Sequence, residues 1–132
     1  MHTIKSFYVG KWKVDPTLNK ISSDDTEVTL VPKVMSLLTV LATHQGQPLN
    51  IERLLNLVWQ GQVVSDSSVY QAIAQLRKAL KHDSENIEYV ERVSSKGYRL
   101  RTEAISIEQY AQYLPANKTS ALYHLKEKSK KF

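Results

Sequence analysis

Between Ser65 and Lys81 the apolar residues Val69, Ala72, Ile73, Leu76 and Leu80 share one face of a helical period, and Ser65 or Asp66 is placed to cap the segment. After a polar break at residues 82–86, residues 87–93 read as a strand and residues 98–100 as a returning strand. Ser94-Ser95-Lys96-Gly97 joins them as a turn, with Gly97 at the position that calls for positive φ. An amphipathic helix followed directly by a hairpin leaves few arrangements open. The helix buries one stripe and shows the other, and the hairpin must pack beside it. Such a helix can enter a DNA major groove while the hairpin beside it reaches phosphates or the neighbouring minor groove.

The preceding residues supply what this pair packs against. Short runs rich in β-branched and aromatic residues, Phe7-Tyr8-Val9, Trp12-Lys13-Val14, Lys20-Ile21-Ser22 and Glu27-Val28-Thr29-Leu30, alternate with turn-formers at Gly10, Asp15-Pro16, Asn19 and Ser23-Asp24-Asp25. They predict a small antiparallel sheet. Pro32 suits a first helical turn, and Val34, Leu37, Leu38 and Leu41 follow at helical spacing until Gly46, which predicts a first helix from Pro32 to about Thr43. Asn50 is a good cap for a second, with Ile51, Leu54, Leu55 and Val58 as its stripe and an end near Trp59. Residues 60–64 connect it to the third, so the last two helices form a helix-turn-helix with a lengthened turn. The fold class expected is α+β: an N-terminal antiparallel sheet, three helices and a C-terminal hairpin.

Charge narrows the function classes less than its total suggests. The net +5 is shared as +1 over residues 1–33, 0 over 34–65, +2 over 66–101, −2 over 102–117 and +4 over 118–132. A Lys-rich tail therefore supplies most of the excess, and patterning has to carry any nucleic-acid reading. Residues 1–104 are expected to form the domain, with 105–132 a basic tail in which Ser106, Ile107, Tyr110, Ala111 and Leu114 suggest a short helix ended by Pro115. There is no cysteine, which fits a reducing compartment, and no run of apolar residues long enough for a membrane span or signal peptide.

The third helix's polar face carries Ser67, Gln71, Ala74, Gln75 and Lys78. Gln pairs bidentately with adenine, Ser donates or accepts, and Ala admits a close approach or a thymine methyl. The same residues would also make an ordinary solvated face; the helix before and the hairpin after favour base reading. Arg92, Lys96 and Arg99 give the hairpin its cations.

With these residues in place, the chain resembles the winged-helix DNA-binding domain of the OmpR/PhoB type, and more closely the ToxR/CadC-like branch of membrane-anchored transcription regulators. The resemblance covers about residues 7–101 and rests on Trp59 closing the second helix, the Val69…Ile73…Leu76-Arg77-Lys78…Leu80 helix, and the Gly97-Tyr98-Arg99-Leu100 ending. It implies sequence-specific binding to double-stranded promoter DNA, with the third helix in the major groove and the wing at the adjacent minor groove. It also implies tandem or dimeric occupancy of repeated sites and control of virulence or envelope genes. Carried over position by position, Ser68, Gln71, Ala74 and Gln75 match base-reading sites. Arg77, Lys78, Ser94, Ser95 and Lys96 match backbone or minor-groove sites, and Arg92 and Arg99 join this set. Arg77 has a competing structural reading, as an arginine that pairs with an acid and packs its stem. Gly97 and Tyr98 are expected to be structural, the latter an aromatic plug under the wing.

The chain departs from the family where Ala74 and Gln75 stand in place of arginine and where Ser94-Ser95-Lys96 makes a less basic wing. Fewer cations imply weaker binding by one copy, hence dependence on paired sites, a partner regulator or concentration at a membrane. The pattern starts within the first ten residues, so no phosphorylatable receiver domain is expected before it. The branch also implies a cytoplasmic domain tethered to the inner membrane by a helix beyond residue 132, and Lys126, Lys128, Lys130 and Lys131 fit the positive-inside flank of such a span. An ordinary basic tail explains the same lysines.

An enzyme is the first rival. His2, His44, His82 and His124 are widely spaced, with no metal-ligand pattern, phosphate-cradling glycine loop or nucleophile elbow, so no catalytic residue, cofactor, metal or small-molecule site is expected. The second rival is a winged helix used mainly for protein contact, in which Tyr70 and Val63-Val64 would meet RNA polymerase or a partner regulator.

Overall fold

The computed structural model describes residues 6–81, 88–101 and 104–106. Four strands open the chain: β1 (Phe7–Val9), β2 (Trp12–Asp15), β3 (Lys20–Ser23) and β4 (Thr26–Thr29). Helices α1 (Pro32–Thr43), α2 (Ile51–Val58) and α3 (Asp66–Leu80) follow, then the hairpin strands β5 (Val90–Val93) and β6 (Gly97–Leu100), and finally β7 (Ala104–Ser106). The α+β order matches the one expected from the sequence.

The first sheet runs β4-β3-β2-β1-β7. Its fifth strand was not anticipated: β7 pairs antiparallel with β1, Phe7 opposite Ser106 and Val9 opposite Ala104. Ser106 therefore ends a strand instead of opening a helix, and the boundary expected at residue 104 falls inside β7. The remainder of the expected tail helix lies outside the described residues. A local trace was present in β1 itself, where Phe7, Tyr8 and Val9 are all buried. A strand apolar on both faces is covered above and below, which is compatible with an interior position in the sheet.

Helix boundaries follow local chemistry. Pro32 occupies the first turn of α1. The Asn50 side chain accepts from Arg53 N at 2.8 Å, capping α2. At α3 the expectation is corrected: Ser65 holds the N-cap position but makes no cap hydrogen bond. Its Oγ instead lies 2.6 Å from Ser67 Oγ. Among the described residues, the regular strands of the hairpin, Val90–Val93 and Gly97–Leu100, are shorter than the wing expected over residues 87–101. Its regular pairing begins at Val90, opposite Leu100, although Arg101 N still donates to Tyr89 O at 2.8 Å; Ile87 lies outside the described residues.

One core joins these parts. Trp12, Val14 and Ile21 from the sheet meet Leu37, Leu38 and Leu41 of α1, Leu54 of α2, and Leu76 and Leu80 of α3, all without measurable exposure or nearly so. Each such side chain contributes roughly 1.5–3 kcal/mol through removal from water. Trp12 Nε1 donates to Leu80 O at 3.1 Å, which satisfies the buried indole and ties β2 to the end of α3. The wing is anchored separately: Leu49, between α1 and α2, exchanges backbone hydrogen bonds with Tyr98 at 2.8 and 2.9 Å.

Candidate nucleic-acid interface

The stripe that fixes α3 in the core also fixes what α3 shows. Val69, Ala72, Ile73, Leu76, Ala79 and Leu80 are buried. Ser67, Gln71, Ala74, Gln75 and Lys78 are exposed, and Ser68 is half-buried at the border. Residues 67, 71, 74 and 78 are spaced to line up along one ridge of the helix. Tyr70 beside them is also exposed.

The wing exposes part of its expected set. Val90 pairs with Leu100 and Arg92 with Tyr98, so these four share one face of the hairpin. Val90, Leu100 and Tyr98 are buried, whereas Arg92 is exposed beyond Tyr98. The tip follows, with Ser94, Ser95 and Lys96 exposed and Lys96 N donating to Val93 O at 3.0 Å to close the turn. Ser95 takes φ 58 there, so two residues of the turn, not Gly97 alone, have positive φ. The side chains of Lys78, Arg92 and Lys96 make no hydrogen bond or ion pair within the described residues.

Two of the proposed cations are engaged by the protein itself. Arg77 is half-buried; its Nε and Nη2 both donate to Val90 O at 3.2 Å. Its guanidinium lies 5.7 Å from the Tyr98 ring centroid, and Nε is 3.6 Å from Glu88 Oε1. Arg99 points from the other face of the hairpin, donating from Nε and Nη2 to Glu91 Oε2 at 3.2 and 3.1 Å. Arg101 Nε is 4.0 Å from the same oxygen. The sequence reading grouped Arg99 with Arg92 as wing cations, but the register pairs Arg99 with Glu91 and sets it on the other face. These contacts are those of the competing structural reading of Arg77, an acid partner and a packed side chain.

The connector between α2 and α3 has its own support. Lys33 Nζ donates to Val58 O at 3.4 Å and Gln62 Oε1 at 3.3 Å, and lies 5.9 Å from the Trp59 ring centroid. Val63 is wholly exposed on that connector. An open groove of about 520 Å³ next to it, between the β2–β3 loop and α1, contains Lys33 as its one titratable group. Among the described residues there is no cluster of His, Asp and Glu suited to a metal and no helix long and apolar enough to cross a membrane.

This arrangement is shared with known proteins. Over 98 residues the chain is 37% identical to the transcriptional activator CadC of Escherichia coli K12, which covers 74% of this chain and 19% of that protein. It is 34% identical over 110 residues to the cholera toxin transcriptional activator of Vibrio cholerae, covering 80% of this chain and 37% of the relative. The chain thus spans well under half of the length of either. Among solved structures, the DNA-binding domain of E. coli CadC superposes with a TM-score of 0.73 at 34% identity, over 80% of this chain and 99% of that one. The DNA-binding domain of Klebsiella pneumoniae RstA, solved in complex with the RstA box, gives 0.60 at 30% identity, over 74% of this chain and 97% of that one. The hairpin is therefore the wing of a winged helix. Residues 25–100, from the β3–β4 turn through the end of the wing, match the family model described as transcriptional regulatory protein, C terminal, and the chain belongs to that family.

Proposed function

We propose that this chain is the sequence-specific duplex-DNA-binding part of a bacterial transcription regulator, with α3 in the major groove and the wing at the adjacent minor groove. The observation that carries the reading is the exposed ridge Ser67, Gln71, Ala74, Gln75 on a helix whose opposite face is buried, with unpaired cations at Lys78, Arg92 and Lys96 around it. The side chains on the ridge hydrogen-bond or touch base edges, whereas the cations meet phosphates. That division suits a reader of sequence more than a general DNA coat. The relatives' names support it: CadC and the cholera toxin activator are transcriptional activators, and the RstA domain was captured on its box.

The finer reading follows the CadC and cholera toxin activator likeness. The domain works on the cytoplasmic side of the inner membrane, tethered by a segment after residue 132, and binds repeated sites as two copies. Exposed Val63 and Tyr70 favour an added protein contact, with RNA polymerase or a second regulator, beside the DNA-reading face. The test is selection of bound duplexes from a random pool at stated salt, then anisotropy on the enriched sequence and on a scrambled control. A motif bound at least about tenfold more tightly than the control, roughly 1.4 kcal/mol, supports the proposal. Equal and steeply salt-dependent binding to both overturns it in favour of a protein-contact module.

A further inference from the structure

Resting on that DNA reading, we infer that Arg77 is a positioning residue that sets the wing against the recognition helix. The wing's backbone approaches α1 through β6 and is bridged to Leu49, but neither wing strand has a comparable backbone approach to α3. Arg77 spans that gap. Both of its donating nitrogens converge on the Val90 carbonyl in β5, its plane lies by the Tyr98 ring in β6, and Glu88 closes on it from the residues that enter β5. Val90 and Tyr98 are buried, so this attachment is to a fixed part of the hairpin and not to its tip.

A planar fork that donates twice to one carbonyl while resting by a ring fixes both distance and angle, which a lysine cannot reproduce. The consequence is geometric. On a duplex, α3 and the wing tip must meet two grooves at once, so the separation between Gln75 and Lys96 sets whether both engage. Arg77 acts on DNA through that separation and releases no counterions itself.

The chain has no cysteine, so Gln75→Cys and Lys96→Cys can carry a pair of spin labels without background. In the free protein, Arg77→Met, which keeps the stem, and Arg77→Lys, which keeps the charge, should both broaden or shift the label-to-label distance distribution while thermal unfolding stays cooperative. On the selected duplex, with unlabelled protein, both variants should lose protection on the wing side, keep protection under α3, and bind roughly three- to thirtyfold more weakly, the salt slope falling only with the wing's lost phosphate contacts. An unaltered distance distribution in both folded variants overturns the inference. So does a salt slope reduced by about one with both protections retained, because that is the mark of a direct phosphate contact. Distances that change as expected in a protein that protects no duplex sequence would instead overturn the DNA reading.

Discussion

Substituting Gly97 tests how the wing is held, and Gly61 supplies the control. Both glycines have positive φ, +113 at Gly97 and +86 at Gly61. Around Gly61 a Cβ would meet nothing within 4 Å, whereas at Gly97 it would overlap the Leu49 carbonyl and press on Asn50 N. Gly61→Ala therefore measures backbone strain alone, about 1–2 kcal/mol. Gly97→Ala adds the overlap, which can be relieved only by separating β6 from Leu49. That separation breaks the hydrogen bonds of 2.8 and 2.9 Å between Leu49 and Tyr98. With about 0.5–1.5 kcal/mol for each bond and about 1–3 kcal/mol of strain, the loss should be roughly 2–6 kcal/mol. Against a typical domain stability of about 5–15 kcal/mol, such a loss is visible in a urea titration followed by tryptophan fluorescence. Equal losses at the two glycines would refute the close approach of Gly97 to Leu49, and with it the account of how the wing is seated.

Leu76→Ala should destabilise by about 2–5 kcal/mol, since the side chain is fully buried on α3; a melting curve like that of the unmodified protein would mean that the faces of α3 are misassigned. Gln75→Ala should alter preference at one base step by roughly 1–3 kcal/mol, read by competition among single-base variants of the selected site. Uniform weakening on every variant would remove Gln75 from the reading face. Lys96→Ala should weaken binding to all duplexes alike and lower the salt slope by about 0.9, and an unchanged slope would take the wing tip out of the interface.

The architecture was legible where one residue's neighbours decide its environment. The stripe Val69, Ile73, Leu76, Leu80 fixed which face of α3 is buried, and Asn50 and Pro32 fixed two helix starts. What escaped depends on residues far apart in the chain. The pairing of β7 with β1 joins Phe7 to Ser106, and its one local trace was a strand apolar on both faces. The Arg99–Glu91 pair needs the hairpin register, and the Arg77–Val90 bond needs the packing of the wing beside α3. On the candidate surface, identity of residue type therefore located Ser67, Gln71, Ala74 and Gln75 correctly on an exposed ridge, but could not separate free arginines from engaged ones.

That separation bears on how tightly one copy can hold DNA. Arg77 and Arg99, counted among the contact residues from sequence alone, spend their charge on Val90, Glu88 and Glu91. Lys78, Arg92 and Lys96 are exposed, and on the proposed DNA reading they are the cations of α3 and the wing that would meet phosphates. Three neutralised phosphates correspond to a salt slope of about −3, far below the six to ten contacts of a strongly salt-dependent binder. On that reading, affinity at physiological salt would rest on base-edge contacts from a short ridge. On the proposed reading, two linked domains on adjacent sites would double both terms and share the loss of translational freedom, so paired occupancy would compensate for a sparsely charged reading head. The same sparseness on α3 and the wing would lower their attraction to random DNA, favouring discrimination over coverage.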